Sequence, residues 1–157
     1  MRVMSCIFCI FIGWILCYCT YGRSNKKMYE EARRLSDKHL EMFLVLDRWI
    51  QNMQNGKNIG IHLKECGMGT IIIYGMNYIG KCLYKELIEA GIEIKYLVDQ
   101  KKYIVFNDIN VKQIEDQMDS ADAVIVTSFY YFDEIEQELK AKFTCPIISL
   151  ADLIYKI

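Results

Sequence analysis

Residues 70–82, TIIIYGMNYIGKC, set two glycines five positions apart behind a run of β-branched residues. A strand that breaks at Gly75 and enters a helix near Tyr78 turns unpaired backbone N–H groups, and the positive end of the helix dipole, away from the sheet. The chemistry this offers is anion binding, and phosphate is the anion such a turn suits. In the pattern G-x-G-x-x-G the first glycine makes the tight turn, the second admits a pyrophosphate, and the third lets helix and strand pack closely. Here the three positions hold Gly75, Asn77 and Gly80. Asparagine is the non-glycine residue that best tolerates a left-handed backbone, so turn and packing are expected to survive. Asp99 follows 24 positions after Gly75, where an acid accepts hydrogen bonds from ribose hydroxyls. Gly75, Asn77, Tyr78, Gly80 and Asp99 thus make up one wall of an expected nucleotide site, taking NAD(P) or a nucleotide-sugar. Lys101 and Lys102 leave room for a 2′-phosphate. Gly80→Asp is expected to abolish binding while the domain stays folded.

A second wall is expected from Thr127-Ser128-Phe129-Tyr130-Tyr131-Phe132. Thr127 and Ser128 offer hydroxyls to a phosphate or ribose, and the aromatics either cover a base or sugar or plug the core. A rival motif overlaps the glycine loop: Gly75 to Lys81 fits G-x-x-x-x-G-K-[ST] up to its last position, which is Cys82. Magnesium is a hard cation and a thiol is a soft ligand, so triphosphate hydrolysis loses its metal anchor. Catalytic residues are not in evidence. No tyrosine is followed by lysine four residues later, and no G-x-S-x-G occurs. His39 and His62 have no ligand-like spacing, and no metal site is expected. The chain alone is therefore expected to bind rather than to react.

The elements that position these residues alternate. Ile71–Tyr74, Ile92–Val98, Ala123–Thr127 and Pro146–Ser149 read as strands, with a weak one at Ile109–Val111. Helices are expected at Ile59–Cys66 between Asn58 and Gly67, at Tyr78–Ala90 before Gly91, up to Met118, at Asp133–Lys142, and at the terminus. Apolar strands alternating with helices predict a three-layer, mostly parallel α/β sheet of Rossmann-like form over residues 58–157. Ahead of it, residues 22–57 contain no proline. Met28, Ala32, Leu35, His39, Met42, Leu46, Trp49 and Met53 there alternate spacings of four and three. This predicts a long helix, capped at Ser24 or Asn25, whose stripe packs on its own domain or forms a homodimer.

Residues 1–21 are almost unbroken in apolarity, with Arg2 as their one charge. A run from Val3 to Tyr21 is long enough for a bilayer core of ~30 Å. Arg23, Lys26, Lys27, Arg33 and Arg34 follow it, which predicts a leader helix anchored in the cytoplasmic membrane with the domain facing the cytoplasm. If Met28 is the true start, the protein is cytoplasmic. The whole chain of 157 residues carries a net charge of −1, and residues 108–138 hold nine carboxylates against Lys112. No basic face is available there for a duplex, so nucleic acid is not an expected partner. Cys66, Cys82 and Cys145 are scattered singly, which suits a reducing compartment.

From about Trp49 onward the chain resembles small Rossmann-like domains associated with bacterial cell-surface polysaccharide biosynthesis, of nucleoside-diphosphate-sugar epimerase-like type. RWIQNMQNGKNIGIHLKECGMGTIIIYGMNYIGKCLYKEL, IEIKYLVDQ, DAVIVTSFYYFDEIEQEL and CPIISLADLI carry the resemblance. In that family the loop is usually Y-G-M-G-x-x-G, so Asn77 departs from it while Asp99 is kept. The resemblance implies a nucleotide or nucleotide-sugar ligand, and glycosyltransferases or other polysaccharide-assembly proteins as partners. Other readings are an interaction scaffold on a degenerate Rossmann fold, and an NAD(P)-dependent oxidoreductase or epimerase completed by a partner.

Overall fold

The computed structural model describes residues 2–100, 105–106 and 109–157; the side chains of residues 2–9, 15–17, 19–20, 22–23, 105 and 110 lie outside that description. Met1–Met42 and Phe43–Ile157 form two compact units. The first belongs to one helix, α1 (Arg2–Gln54), which continues into the second. Neither Ser24 nor Asn25 caps a new helix, contrary to expectation. A single glycine such as Gly22 costs a helix interior only about 1 kcal/mol, too little to stop it. Lys26 pairs with Glu30 at 3.8 Å and Arg33 with Asp37 at 4.0 Å, both one turn apart along the exposed helix. The expected membrane span over residues 3–21 falls largely on side chains outside the description. Among the described residues no helix is long and apolar enough to cross a membrane.

The second unit is the α/β domain. After α1 ends at Gln54, with Gly56 at φ +74° in the turn that follows, the chain forms α2 (Ile59–Glu65), β1 (Thr70–Tyr74), α3 (Tyr78–Glu89) and β2 (Glu93–Val98). A two-residue hairpin, β3 (Val105–Phe106) and β4 (Ile109–Asn110), comes next. It is followed by β5 (Ala123–Val126), α4 (Phe132–Lys140), β6 (Ile147–Ser149) and α5 (Leu150–Lys156). Local chemistry sets most of these bounds. Asn58 Oδ1 accepts from the Ile61 amide at the start of α2, and Gly67 and Gly91 take left-handed φ values of +77° and +71° behind α2 and α3. The helix expected before Met118 is a turn instead, because Asp116 accepts the Gln113 amide at 2.8 Å and closes a short loop.

β1, β2, β5 and β6 form one parallel sheet in the order β2-β1-β5-β6. Its start is pinned by Asp122, whose Oδ2 accepts from the Gly69 amide, the Thr70 amide and the Thr70 hydroxyl at 2.7–2.9 Å. The Thr70 hydroxyl and these two amides hold the Asp122 carboxyl below its ordinary range. Each face of the sheet has its own core. On one, Ile71, Ile73 and Ile125 pack with Leu83 and Leu87 of α3, Ile59 and Leu63 of α2, and Leu150 and Ile154 of α5. On the other, Ile72, Val124 and Val126 pack with Ile135 and Leu139 of α4.

The end of α1 belongs to the first of these cores. Val45 and Trp49 are buried, and Asn52 donates to the Ile154 carbonyl at 2.7 Å. Trp49 Nε1 donates to Glu86 Oε2 and the Ile59 amide to Glu86 Oε1, both at 2.7 Å, so one buried carboxylate joins α1, α2 and α3. The expected stripe therefore packs on its own domain at Trp49, whereas Met28, Leu35 and Met42 remain exposed.

Candidate functional site

The chain steps from β1 to β2 on one side of the sheet and then reaches β5 on the other side of β1. Such a reversal leaves a crevice outside the carboxyl ends of β1 and β5, where open α/β sheets take ligands. The loop after β1 builds one wall. Gly75 has φ +96°, and a Cβ there would lie 2.6 Å from Thr127 Oγ1; a Cβ on Gly80 would lie 2.0 Å from the Gly75 carbonyl oxygen. The first glycine makes the turn and the last lets α3 pack against it, as their spacing predicts. Substituting Gly80 therefore disturbs the loop itself, so Gly80→Asp is expected to lose stability together with binding, contrary to the sequence expectation of a folded variant.

Asn77 has a different task from the one expected. Its φ of −71° is not left-handed; it is the N-cap of α3, and its Oδ1 accepts from the Gly80 amide at 3.0 Å. The Met76 amide donates to Asp99 Oδ2 at 2.7 Å, so the acid at the tip of β2 reaches back over the glycine loop. Two amides expected to meet a phosphate are thus held by side chains of the protein. The amides of Tyr78 and Ile79, in the first turn of α3, have no intrahelical acceptor. The Tyr78 side chain is 89 % exposed and does not line the crevice.

Thr127 is also reassigned. It is 1 % exposed, and its hydroxyl lies 2.6 Å from the Gly75 carbonyl and 3.2 Å from that of Tyr74. One O–H has one proton to donate, and this one fastens the end of β5 to the loop after β1. Ser128 lines the crevice, half-buried, and its side chain does not cap the single 3-10 turn Phe129–Tyr131 that it precedes. Of the aromatics, Phe129 packs into the first core and Phe132 into the second. Tyr131 reaches the crevice, with Tyr130 edge-on to it at 5.2 Å. Lys81 lies over the Phe106 ring at 5.6 Å and Cys82 is exposed. Lys101 and Lys102 lie outside the described residues.

The crevice has a volume of about 460 Å³ and is lined by Tyr74, Asp99, Gln100, Ser128, Glu134 and Glu138 among others. A second hollow of about 520 Å³ shares Tyr74, Asp99, Gln100 and Glu138 and adds Gln113 and Glu115. Of these lining residues the sequence singles out Asp99 and Ser128, and not Tyr74, Gln100, Gln113, Glu115, Glu134 or Glu138. Glu134 and Glu138 are four apart on α4 and share a face, a spacing that could have marked them. Tyr74 looked like one more buried strand residue. His62 and Cys66, also four apart, bring Nε2 and Sγ within 3.8 Å at the surface. No group of three metal-ligating side chains occurs among the described residues.

No family model, curated protein or solved structure matches the chain. The parallel four-stranded sheet is compatible with a Rossmann-like fold.

Proposed function

We propose that the protein is a nucleotide- or nucleotide-sugar-binding module acting in cell-surface polysaccharide assembly beside glycosyltransferases. The observation that carries this is the junction of β1 and α3: a left-handed Gly75, a Gly80 packed against its carbonyl, and a crevice opening beside them at the reversal of strand order. The Tyr78 and Ile79 amides and the dipole of α3 supply the place for a phosphate. Asp99 and Asn77 brace the loop by taking the Met76 and Gly80 amides, which favours one phosphate over a closely held diphosphate.

The apolar leader supports attachment of this module to the cytoplasmic membrane, and flotation of the full chain with vesicles tests it: recovery in the aqueous fraction alone rejects attachment. Met28, Leu35 and Met42, exposed at seven-residue intervals, favour a second reading as a self-associating scaffold. A monomeric mass in solution removes that reading.

The binding reading is tested by melting the full chain with NAD(H), UDP, UDP-sugars and inorganic phosphate. A ligand at 100 times its dissociation constant adds about 2.7 kcal/mol of stability. Saturable stabilisation by at least one nucleotide, absent with phosphate alone, is the expected result. Melting unmoved by every nucleotide rejects the reading.

A further inference from the structure

Tyr74 closes β1 with only 2 % of its surface exposed, in the core it shares with Val98, Val126 and Ile135. Among the described residues its hydroxyl is buried without a hydrogen-bond partner, yet Tyr74 lines both hollows of the crevice. Burial pushes the phenol above its ordinary value. The nearby Gln100 amide acts against that rise without completing bond geometry, and the charges of Glu138, Asp99 and Glu115 reinforce it. The group therefore keeps its proton and, among the described residues, has no acceptor for it.

Around this donor the crevice presents acceptors: the carboxylates of Asp99, Glu134 and Glu138, with Glu115 in the adjoining hollow. A phosphate or carboxylate could accept from Tyr74 but would face like charges. An ammonium could answer the carboxylates but could not accept from Tyr74. An alcohol does both, accepting with its lone pairs and donating its proton. Tyr131 adds an aromatic edge to the same wall.

We propose that Tyr74, Glu134 and Glu138 form a subsite for the hydroxyls of an uncharged sugar ring, on the α4 side of the sheet. Tyr74 donates to one hydroxyl, and the glutamates accept from that hydroxyl or its neighbour. The proposal rests on the nucleotide-sugar reading above and names its sugar class. A sugar bearing a carboxylate is excluded by the acidic lining.

Titration calorimetry of the full chain with UDP-glucose, UDP-glucuronate and UDP tests this. UDP-glucose is expected to bind about tenfold tighter than either of the others, a difference of about 1.4 kcal/mol. Tyr74→Phe keeps the ring and removes only the oxygen, so it is expected to melt no lower than wild type while its affinity for UDP-glucose falls to that for UDP. Glu138→Gln is expected to narrow the gap between UDP-glucose and UDP-glucuronate. Equal affinity for the three probes, or unchanged UDP-glucose affinity in Tyr74→Phe, overturns the subsite and leaves nucleotide binding standing. Binding of none of the three removes both.

Discussion

Gly80→Ala lowers the stability of the α/β domain by about 3 kcal/mol, the upper part of the usual range for forcing extra volume into packed structure. The added methyl would stand 2.0 Å from the Gly75 carbonyl oxygen and 3.1 Å from its carbon. Both are backbone atoms, so no rotamer relieves the contact. The loop cannot retreat easily either. Gly75 is held by the Thr127 hydroxyl on its carbonyl and by the Val98 carbonyl on its amide, at 2.6 and 2.7 Å. Either α3 shifts away from β1 or the turn opens, and both outcomes move the Tyr78 and Ile79 amides. Urea unfolding at 25 °C measures the loss, and nucleotide affinity is expected to fall with it. A stability unchanged within about 0.5 kcal/mol would mean that the loop yields freely, contrary to the packing described.

The second large effect is at Trp49. Trp49→Ala is expected to cost about 4 kcal/mol, the range for deleting a buried aromatic. Trp49 is 4 % exposed and belongs to the first core, while its indole N–H donates to Glu86 of α3. Removing it leaves a cavity and deprives a buried carboxylate of one of its two donors, the Ile59 amide remaining. Trp49→Phe separates these contributions. It restores most of the ring but not the donor, and is expected to cost about 1–2 kcal/mol, the price of an unmet buried acceptor. If Trp49→Ala instead left urea unfolding unchanged and altered only the mass of the particle in solution, the helix would be packing on a second copy of the chain.

That contrast shows where the sequence was legible. The heptad spacing from Met28 to Met53 identified a helix with an apolar stripe, but spacing cannot say which surface covers the stripe. The structure turns Trp49 inward and leaves Leu35 exposed. Elements bounded by their own local chemistry were readable: Asn58 and Gly67 around α2, Gly75 after β1, and Gly91 after α3 announce themselves by residue type. The start of α1 was not, because Ser24 is a competent cap only if the residues before it leave the helix, and they do not.

The candidate site divides in the same way. Gly75 and Gly80 were legible because their roles depend on a five-residue loop. Asp99 reaching back to the Met76 amide, and Thr127 fastening the Gly75 carbonyl, join residues 23 and 52 apart in sequence, and only the paired strands bring them together. Both contacts convert expected ligand donors and acceptors into internal fastenings. On the binding reading proposed above, they shift the expected contacts from the phosphate loop toward the crevice lined by Tyr74, Glu134 and Glu138.

A nucleotide site at the end of β1 requires the first turn of α3 to keep amides for an anion after the Met76 and Gly80 amides have been taken. Amide hydrogen exchange in the full chain, with and without saturating UDP, reads those groups one by one. Met76 and Gly80 should exchange slowly in the free protein, and addition of UDP should slow Tyr78 and Ile79. If the exchange of Tyr78 and Ile79 is the same with and without UDP at a concentration that binds, the nucleotide is held elsewhere and the site at the end of β1 is wrong.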